Sequence, residues 1–204
     1  VDRFQKALNK VIQGHKMLHT IINKDATQSE LKEYAPYQVK YHDLSVLSQQ
    51  EREEKRLKIR EELSHKNYEI ATWPMFSFEI AKISKEKKVL FVSIDLIISD
   101  ASSIMILFND LYRYYMDETL PVQEEKVTFQ DFVTYMEDMK TKDRYKQDKQ
   151  YWMEQMMEIP MGPALIAKKK VEEEDSHFQR LTYISEGDTW KKCRDNIMKH
   201  GLIQ

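Results

Sequence analysis

The residues VLFVSIDLIISDASS, which run from Val89 to Ser103, combine an apolar strand pattern with two carboxylates. Strand alternation would place Phe91, Ser93 and Asp95 on one face of a sheet. A carboxylate is costly to bury unless it is paired or hydrogen-bonded. Asp95 and Asp100 are therefore the first candidates for a site, whether chemical or structural.

The elements around this stretch predict alternating strands and helices. Residues 75–83 and 88–96 form the strongest strand pair, and the polar residues 84–87 make the turn between them. Residues 103–116 follow as a helix, with Ile104, Leu107 and Leu111 on one stripe. This order favours an α/β architecture.

The rest of the chain adds elements of both kinds. Ser48 and Asp188 are the predicted N-caps of two helices, and Gly14 is predicted to lie just past the end of the first helix. Further strands are predicted at residues 17–22, 38–42 and 177–185. Further helices are predicted at residues 2–13, 48–65, 129–139, 143–157 and 188–200.

Composition excludes several classes of protein. The 204 residues include 32 basic and 34 acidic side chains, so no basic excess predicts nucleic-acid binding. No apolar run is long enough to span a bilayer, which argues against a membrane protein. The single cysteine, Cys193, cannot form a disulfide framework and favours a reducing, cytoplasmic location. Nothing beside Cys193 argues for an activated nucleophile.

The spacing of Asp95, Leu96, Asp100 and Ala101 resembles a known family. Condensation domains of nonribosomal peptide synthetases, and their chloramphenicol acetyltransferase relatives, carry His-His-x-x-x-Asp-Gly after such a strand. Here Asp95 and Leu96 stand at the histidine positions and Ala101 at the glycine. The pattern is similar to the Asp-x-x-x-x-Asp-x-x-Ser variant of heterocyclisation domains, with Ser103 as its last residue.

The resemblance covers nearly the whole chain. His15, Met17 and Leu18 match a family segment reading Arg-His-x-Met-Leu-Arg, whereas Gly14 and His19 replace its two arginines. Other matching segments are residues 61–65, residues 74–76, Tyr151-Trp152, Trp190 and residues 200–202.

The resemblance implies a chloramphenicol acetyltransferase-like, two-layer α/β sandwich lobe with a mixed sheet and helices packed on it. Residues 1–175 would form this first lobe. Residues 176–204 would supply a strand and a helix that lead into a second lobe. Residues 168–175, reading KKKVEEED, would be a surface loop or linker at that boundary.

The resemblance also implies an activity. Heterocyclisation domains join an acyl or peptidyl thioester to a cysteinyl, seryl or threonyl thioester and cyclodehydrate the product to a thiazoline or oxazoline. Both substrates ride on phosphopantetheine arms of partner carrier domains, so no directly bound cofactor or metal is expected. The family's best cyclodehydration residues lie in the second lobe, so we expect this chain alone to be inactive.

The motif residues keep alternative roles. Asp95 is either a general base or a structural carboxylate that is paired with a buried cation or with backbone amides. Asp100 is expected to be structural and to pair with His19, which stands where the family has an arginine. Ser103 is expected to satisfy free amides at the helix start. His15 is expected to pack or to cap a helix.

Two other functions remain open for the whole chain. The first alternative is a non-catalytic, condensation-like lobe that docks carrier proteins, which the departures at Gly14 and His19 favour. The second is a simple acyltransferase of the acetyltransferase type, which Leu96 argues against because leucine cannot act as a base.

Overall fold

A computed structural model describes residues 1–162 and 181–201. The chain forms two compact units, Val1–Ala164 and Leu165–Gln204. The helices are α1 (Asp2–Gly14), α2 (Gln49–Ser64), α3 (Ala101–Met116), α4 (Phe129–Met139), α5 (Asp143–Gln155) and α6 (Gly187–Lys199). The strands are β1 (Thr20–Ile22), β2 (Gln28–Glu30), β3 (Lys40–Asp43), β4 (Phe76–Lys82) and β5 (Lys88–Ile94).

The first unit is built on a mixed three-stranded sheet in the order β3-β4-β5. β3 runs parallel to β4, and β5 runs antiparallel to β4 with Phe76 opposite Ile94 and Lys82 opposite Lys88. The predicted hairpin is therefore confirmed. A second, two-stranded sheet pairs β1 with β2 in antiparallel fashion.

The two faces of β4 carry different layers. Phe76, Phe78 and Ile80 point into the larger hydrophobic cluster, which also holds the apolar faces of α1 and α3. Ala81 belongs to a second cluster that includes Ile59 from α2. Helices thus cover the sheet on both sides, and the predicted α/β fold class is confirmed.

Helix α2 begins where the sequence predicts. Ser48 Oγ accepts a hydrogen bond from the Glu51 amide, and the Glu51 carboxylate accepts one from the Ser48 amide. This reciprocal capping box satisfies two amides that the first turn leaves unpaired. Mostly charged side chains on α2 leave Ile59 and Leu63 as its buried residues.

The predicted strand at residues 17–22 is wrong in its first half. Lys16–His19 form a 3₁₀ turn, and the strand starts at Thr20. The turn buries Leu18, whose carbonyl oxygen accepts a hydrogen bond of 2.9 Å from Trp73 Nε1. Trp73, which is distant in sequence, thus stabilises the 3₁₀ turn. The β-branched residues 20–22 predict a strand and give no sign of this turn.

Gly14 has a different role from the predicted one. It is the last residue of α1 rather than the residue that follows the helix, and His15 is the C-cap. A Cβ atom at position 14 would lie 2.7 Å from the backbone oxygen of Gln123. Gly14 is therefore required because another chain segment approaches α1 closely.

The second unit contains α6 within its described residues. Helix α6 has Glu186 as its N-cap, with no side-chain capping bond, so the predicted cap at Asp188 is wrong. The predicted strand at residues 177–185 is not formed at 181–185, and its remainder lies outside the described residues. The predicted boundary between residues 175 and 176 also lies outside them. Among the described helices, none is long and apolar enough to cross a membrane.

Candidate functional site

The candidate site is the turn that joins β5 to α3. β5 ends at Ile94, so Asp95 lies just past the strand rather than in it, which corrects the predicted strand end at residue 96. The Asp95 amide donates a 3.0 Å hydrogen bond to the carbonyl oxygen of Met75, the residue before β4. The hairpin therefore fixes the position of the first motif carboxylate.

The side chain of Asp95 closes its own turn. Its Oδ1 atom accepts a 3.0 Å hydrogen bond from the Ile97 amide, and its carbonyl oxygen accepts one of 3.2 Å from the Ile98 amide. Asp95 is half-buried. One of the two predicted alternatives, a carboxylate that accepts a backbone amide, is thus present in the structure.

Ile98 anchors the turn to the core. It is 6% exposed and belongs to the larger hydrophobic cluster, whereas Leu96 is 73% exposed. The resemblance aligns Leu96 with the second histidine of condensation domains, and its hydrocarbon side chain cannot exchange a proton. The turn therefore offers carboxylates and no imidazole at that position.

Asp100 caps α3. Its Oδ1 atom accepts hydrogen bonds from the Ser103 amide and the Ser103 hydroxyl, both at 2.7 Å. These two bonds lower the pKa of Asp100, because they favour the ionised carboxylate. The predicted role of Ser103 is therefore corrected, since its hydroxyl donates to the cap and Asp100 satisfies the free amide.

His19 does not pair with Asp100, contrary to the prediction. Its ring lies 4.8 Å from the ring of Tyr34 in a stacked arrangement, and Nδ1 lies 3.2 Å from the Leu31 carbonyl oxygen. The ring is buried, and its Nε2 atom has no hydrogen-bond partner. Stacking against Tyr34 places the imidazole in the core, where it cannot take over the role of the family's arginine.

A charged cluster at His15 was missed in the sequence. His15 caps α1, within the role predicted for it, but its ring also lies between Asp110 and Glu125. These partners are 95 and 110 residues away in sequence. No local spacing could have indicated the cluster.

Apolar side chains remain exposed beyond the turn. On α3, Met105 and Tyr112 face solvent, while Leu111 and Tyr114 are buried. α4 and α5 have no buried residue. The apolar side chains of α3 are therefore divided between the core and the surface, and those of α5, such as Met153, are exposed.

The family comparison agrees with this architecture. A family model described as Condensation domain matches residues 1–202. The chain belongs to the condensation-domain family, as its motif spacing predicted.

Similar sequences occur in large synthetases. Bacitracin synthase 1 from Bacillus licheniformis is 28% identical over 99% of this chain, which covers 4% of that protein. Pyochelin synthetase PchF from Pseudomonas aeruginosa is 22% identical over 98% of this chain, which covers 11% of that protein. The chain thus spans a small part of the relatives it matches.

Similar structures confirm the condensation-type, chloramphenicol acetyltransferase-like fold. The EpoB cyclization-docking bidomain from Sorangium cellulosum superposes with a TM-score of 0.79 and 24% identity, over 97% of this chain and 39% of that one. VibH, a condensation enzyme, gives a TM-score of 0.59 and 18% identity, over 78% of this chain and 37% of that one. At these identities the likeness concerns the fold alone.

Proposed function

We propose that this chain is the first part of a heterocyclisation domain of a nonribosomal peptide synthetase. The observation that carries the proposal is the turn from β5 to α3, which presents Asp95, Asp100 and Ser103 and has Leu96 in place of a histidine. The structurally similar EpoB protein is a cyclization-docking bidomain, which supports the same function.

The proposed reaction has two stages. The amine of a carrier-bound cysteine, serine or threonine attacks the upstream thioester, so that a C–N bond forms and the upstream carrier thiol leaves with a proton. The side-chain thiol or hydroxyl then attacks the new amide carbon. A C–S or C–O bond forms, and the former carbonyl oxygen takes up the proton of the attacking group. This oxygen then leaves as water together with the amide N–H proton, a C=N bond forms, and the product is a thiazoline or oxazoline. Phosphopantetheine arms of partner carrier domains would deliver both substrates.

The role proposed for the motif is to hold this turn in place. Asp100 accepts two hydrogen bonds from Ser103 at the start of α3, and Oδ1 of Asp95 accepts one from the Ile97 amide. A chemical role for Asp95 would need its other carboxylate oxygen to reach the substrate. Asparagine, which has the same shape as aspartate, can replace Asp95 in the structural role but not in the role of a base.

The activity test uses the complete synthetase with both carriers loaded. Mass analysis of the carrier-bound product distinguishes three results. A condensed product lighter by one water supports heterocyclisation. A condensed product that keeps the water indicates ordinary amide formation. The absence of condensation with retained carrier binding indicates the non-catalytic docking lobe, which is favoured because His19 contacts Leu31 and Tyr34 rather than Asp100.

A pair of substitutions at Asp95 tests its role. An asparagine can still accept the Ile97 amide through Oδ1 but cannot take a proton, whereas alanine loses both properties. If Asp95 holds the turn, Asp95→Asn keeps product formation within about threefold, and Asp95→Ala loses about tenfold for one hydrogen bond. Equal losses in both variants would instead make Asp95 the base. Asp100→Asn is the matched control, since asparagine caps helices as well as aspartate does.

A further inference from the structure

The His15 ring is held between two carboxylates that come from different parts of the first unit. Nε2 lies 3.0 Å from Asp110 Oδ2 on α3, and Nδ1 lies 3.0 Å from Glu125 Oε1 in the segment 117–127. The His15 side chain is 17% exposed, so water competes poorly for these contacts. One imidazole thus connects the end of α1 to α3 and to the segment that leads into α4.

The proton count of this cluster depends on the imidazole. An ionised carboxylate only accepts hydrogen bonds, and a neutral imidazole has one N–H and one bare nitrogen. Both contacts are therefore hydrogen bonds only when His15 carries two ring protons. A neutral ring would turn a nitrogen lone pair toward a carboxylate oxygen.

The surrounding charges are compatible with an imidazolium. Arg113 Nη1 lies 3.2 Å from Asp110 Oδ1, so α3 contributes one acid and one base and the segment contributes Glu125. Lys16, the next residue in the chain, pairs outside this cluster, since its Nζ atom lies 3.8 Å from Glu30 Oε2. With a protonated His15, the cluster of two acids and two bases is neutral.

We propose that His15, Asp110 and Glu125 form a proton-dependent latch that holds the segment 117–127 against α1 and α3. The latch is closed when the imidazole is protonated and loosens when the imidazole becomes neutral. It is independent of the heterocyclisation proposal, because it involves neither the motif nor a substrate.

The segment has other attachments that persist when the latch loosens. The Gln123 amide donates a 2.9 Å hydrogen bond to the Tyr114 hydroxyl, and Lys10 Nζ donates to the carbonyl oxygens of Glu118 and Leu120. None of these hydrogen bonds involves the His15 ring. The latch therefore modulates the mobility of this segment and does not release it.

Amide hydrogen exchange of the protein, followed by mass spectrometry, tests the latch. Protection of the segment 117–127, corrected for the intrinsic pH dependence of exchange, should be about tenfold lower where the imidazole is neutral than where it is protonated. The peptides of β4 serve as an internal reference, because β4 is hydrogen-bonded to β3 and β5 and should keep its protection.

Two isosteric variants make the test specific. In Glu125→Gln the amide accepts from a protonated Nδ1 or donates to a bare one, so the contact survives and the pH dependence of protection is lost. Glu124→Gln removes the same charge at an exposed neighbour and should keep the wild-type pH dependence. The latch would be overturned if protection in the wild-type protein did not depend on pH. It would also be overturned if Glu125→Gln kept the same pH dependence as the wild type.

Discussion

Apolar residues are largely buried in β4 and α1, whereas those of α4 and α5 are largely exposed. Phe76 on β4 is 1% exposed, whereas Phe132 on α4 is 51% exposed and Trp152 on α5 is 60% exposed. All three are large aromatic residues within regular elements. The difference shows that a pattern identifies an element, while burial depends on the surface that lies against it.

This contrast has an energetic consequence. Apolar area stabilises a fold only where it is removed from water. The larger hydrophobic cluster around β4, α1 and α3 therefore carries the stability of the first unit, and α4 and α5 contribute little to it. Substitutions in the two regions should separate these contributions.

The largest expected difference is between two phenylalanines. Phe76→Ala should lower the free energy of unfolding by about 3–5 kcal/mol, because it leaves a cavity in the core. Phe132→Ala, the matched change on α4, should lower it by less than about 1 kcal/mol. Urea unfolding of both variants measures the two values. Similar losses would show that α4 is packed as tightly as β4.

A second comparison concerns two glycines. Gly14→Ala should lower the free energy of unfolding by about 1–3 kcal/mol, because its Cβ atom would meet the Gln123 backbone oxygen. Gly187→Ala, at the start of α6, has no atom within 4 Å of the new Cβ. Its effect should be near zero or slightly stabilising. Thermal unfolding of both variants measures the two effects. A negligible loss in Gly14→Ala would show that the segment around Gln123 can move away from α1 without cost.

The smallest expected effect belongs to an exposed carboxylate. Hydrogen bonds from Ser45 and the ammonium group of Lys82 lower the pKa of Asp43 from 3.8 to about 2. A depressed pKa stabilises the folded state above 3.8, and this contribution is lost as the pH falls toward about 2. Carboxyl NMR titration should find Asp43 still ionised at about pH 3, and Asp43→Asn should remove that part of the acid sensitivity. A midpoint near 3.8 would contradict these contacts.

Local signals were sufficient for much of the fold. The capping box at Ser48 and the alternation in β4 and β5 each lie within a few residues, so the sequence alone indicates them. The limits of α4 match their prediction for the same reason, since Thr128 caps the helix with Asp131. Short-range chemistry thus predicts the elements and the motif they carry.

Side-chain partners could not be predicted in the same way. The ring of His19 stacks on Tyr34, and Gly14 meets Gln123, so both roles depend on contacts between distant parts of the chain. Asp95 is a different case, because its partner is the amide two residues later. That local turn was one of two open alternatives, and the burial pattern did not distinguish them.

The alternation of β4 also limits where residues can be inserted or deleted in this protein. Phe76 and Phe78 belong to the larger cluster, and Ala81 belongs to the second cluster with Ile59 of α2, so the strand has apolar contacts on both sides. A substitution changes one side only. A single inserted or deleted residue would exchange the two sides for the remainder of the strand. Length changes should therefore accumulate in the turn at residues 84–87, and hardly at all within β4.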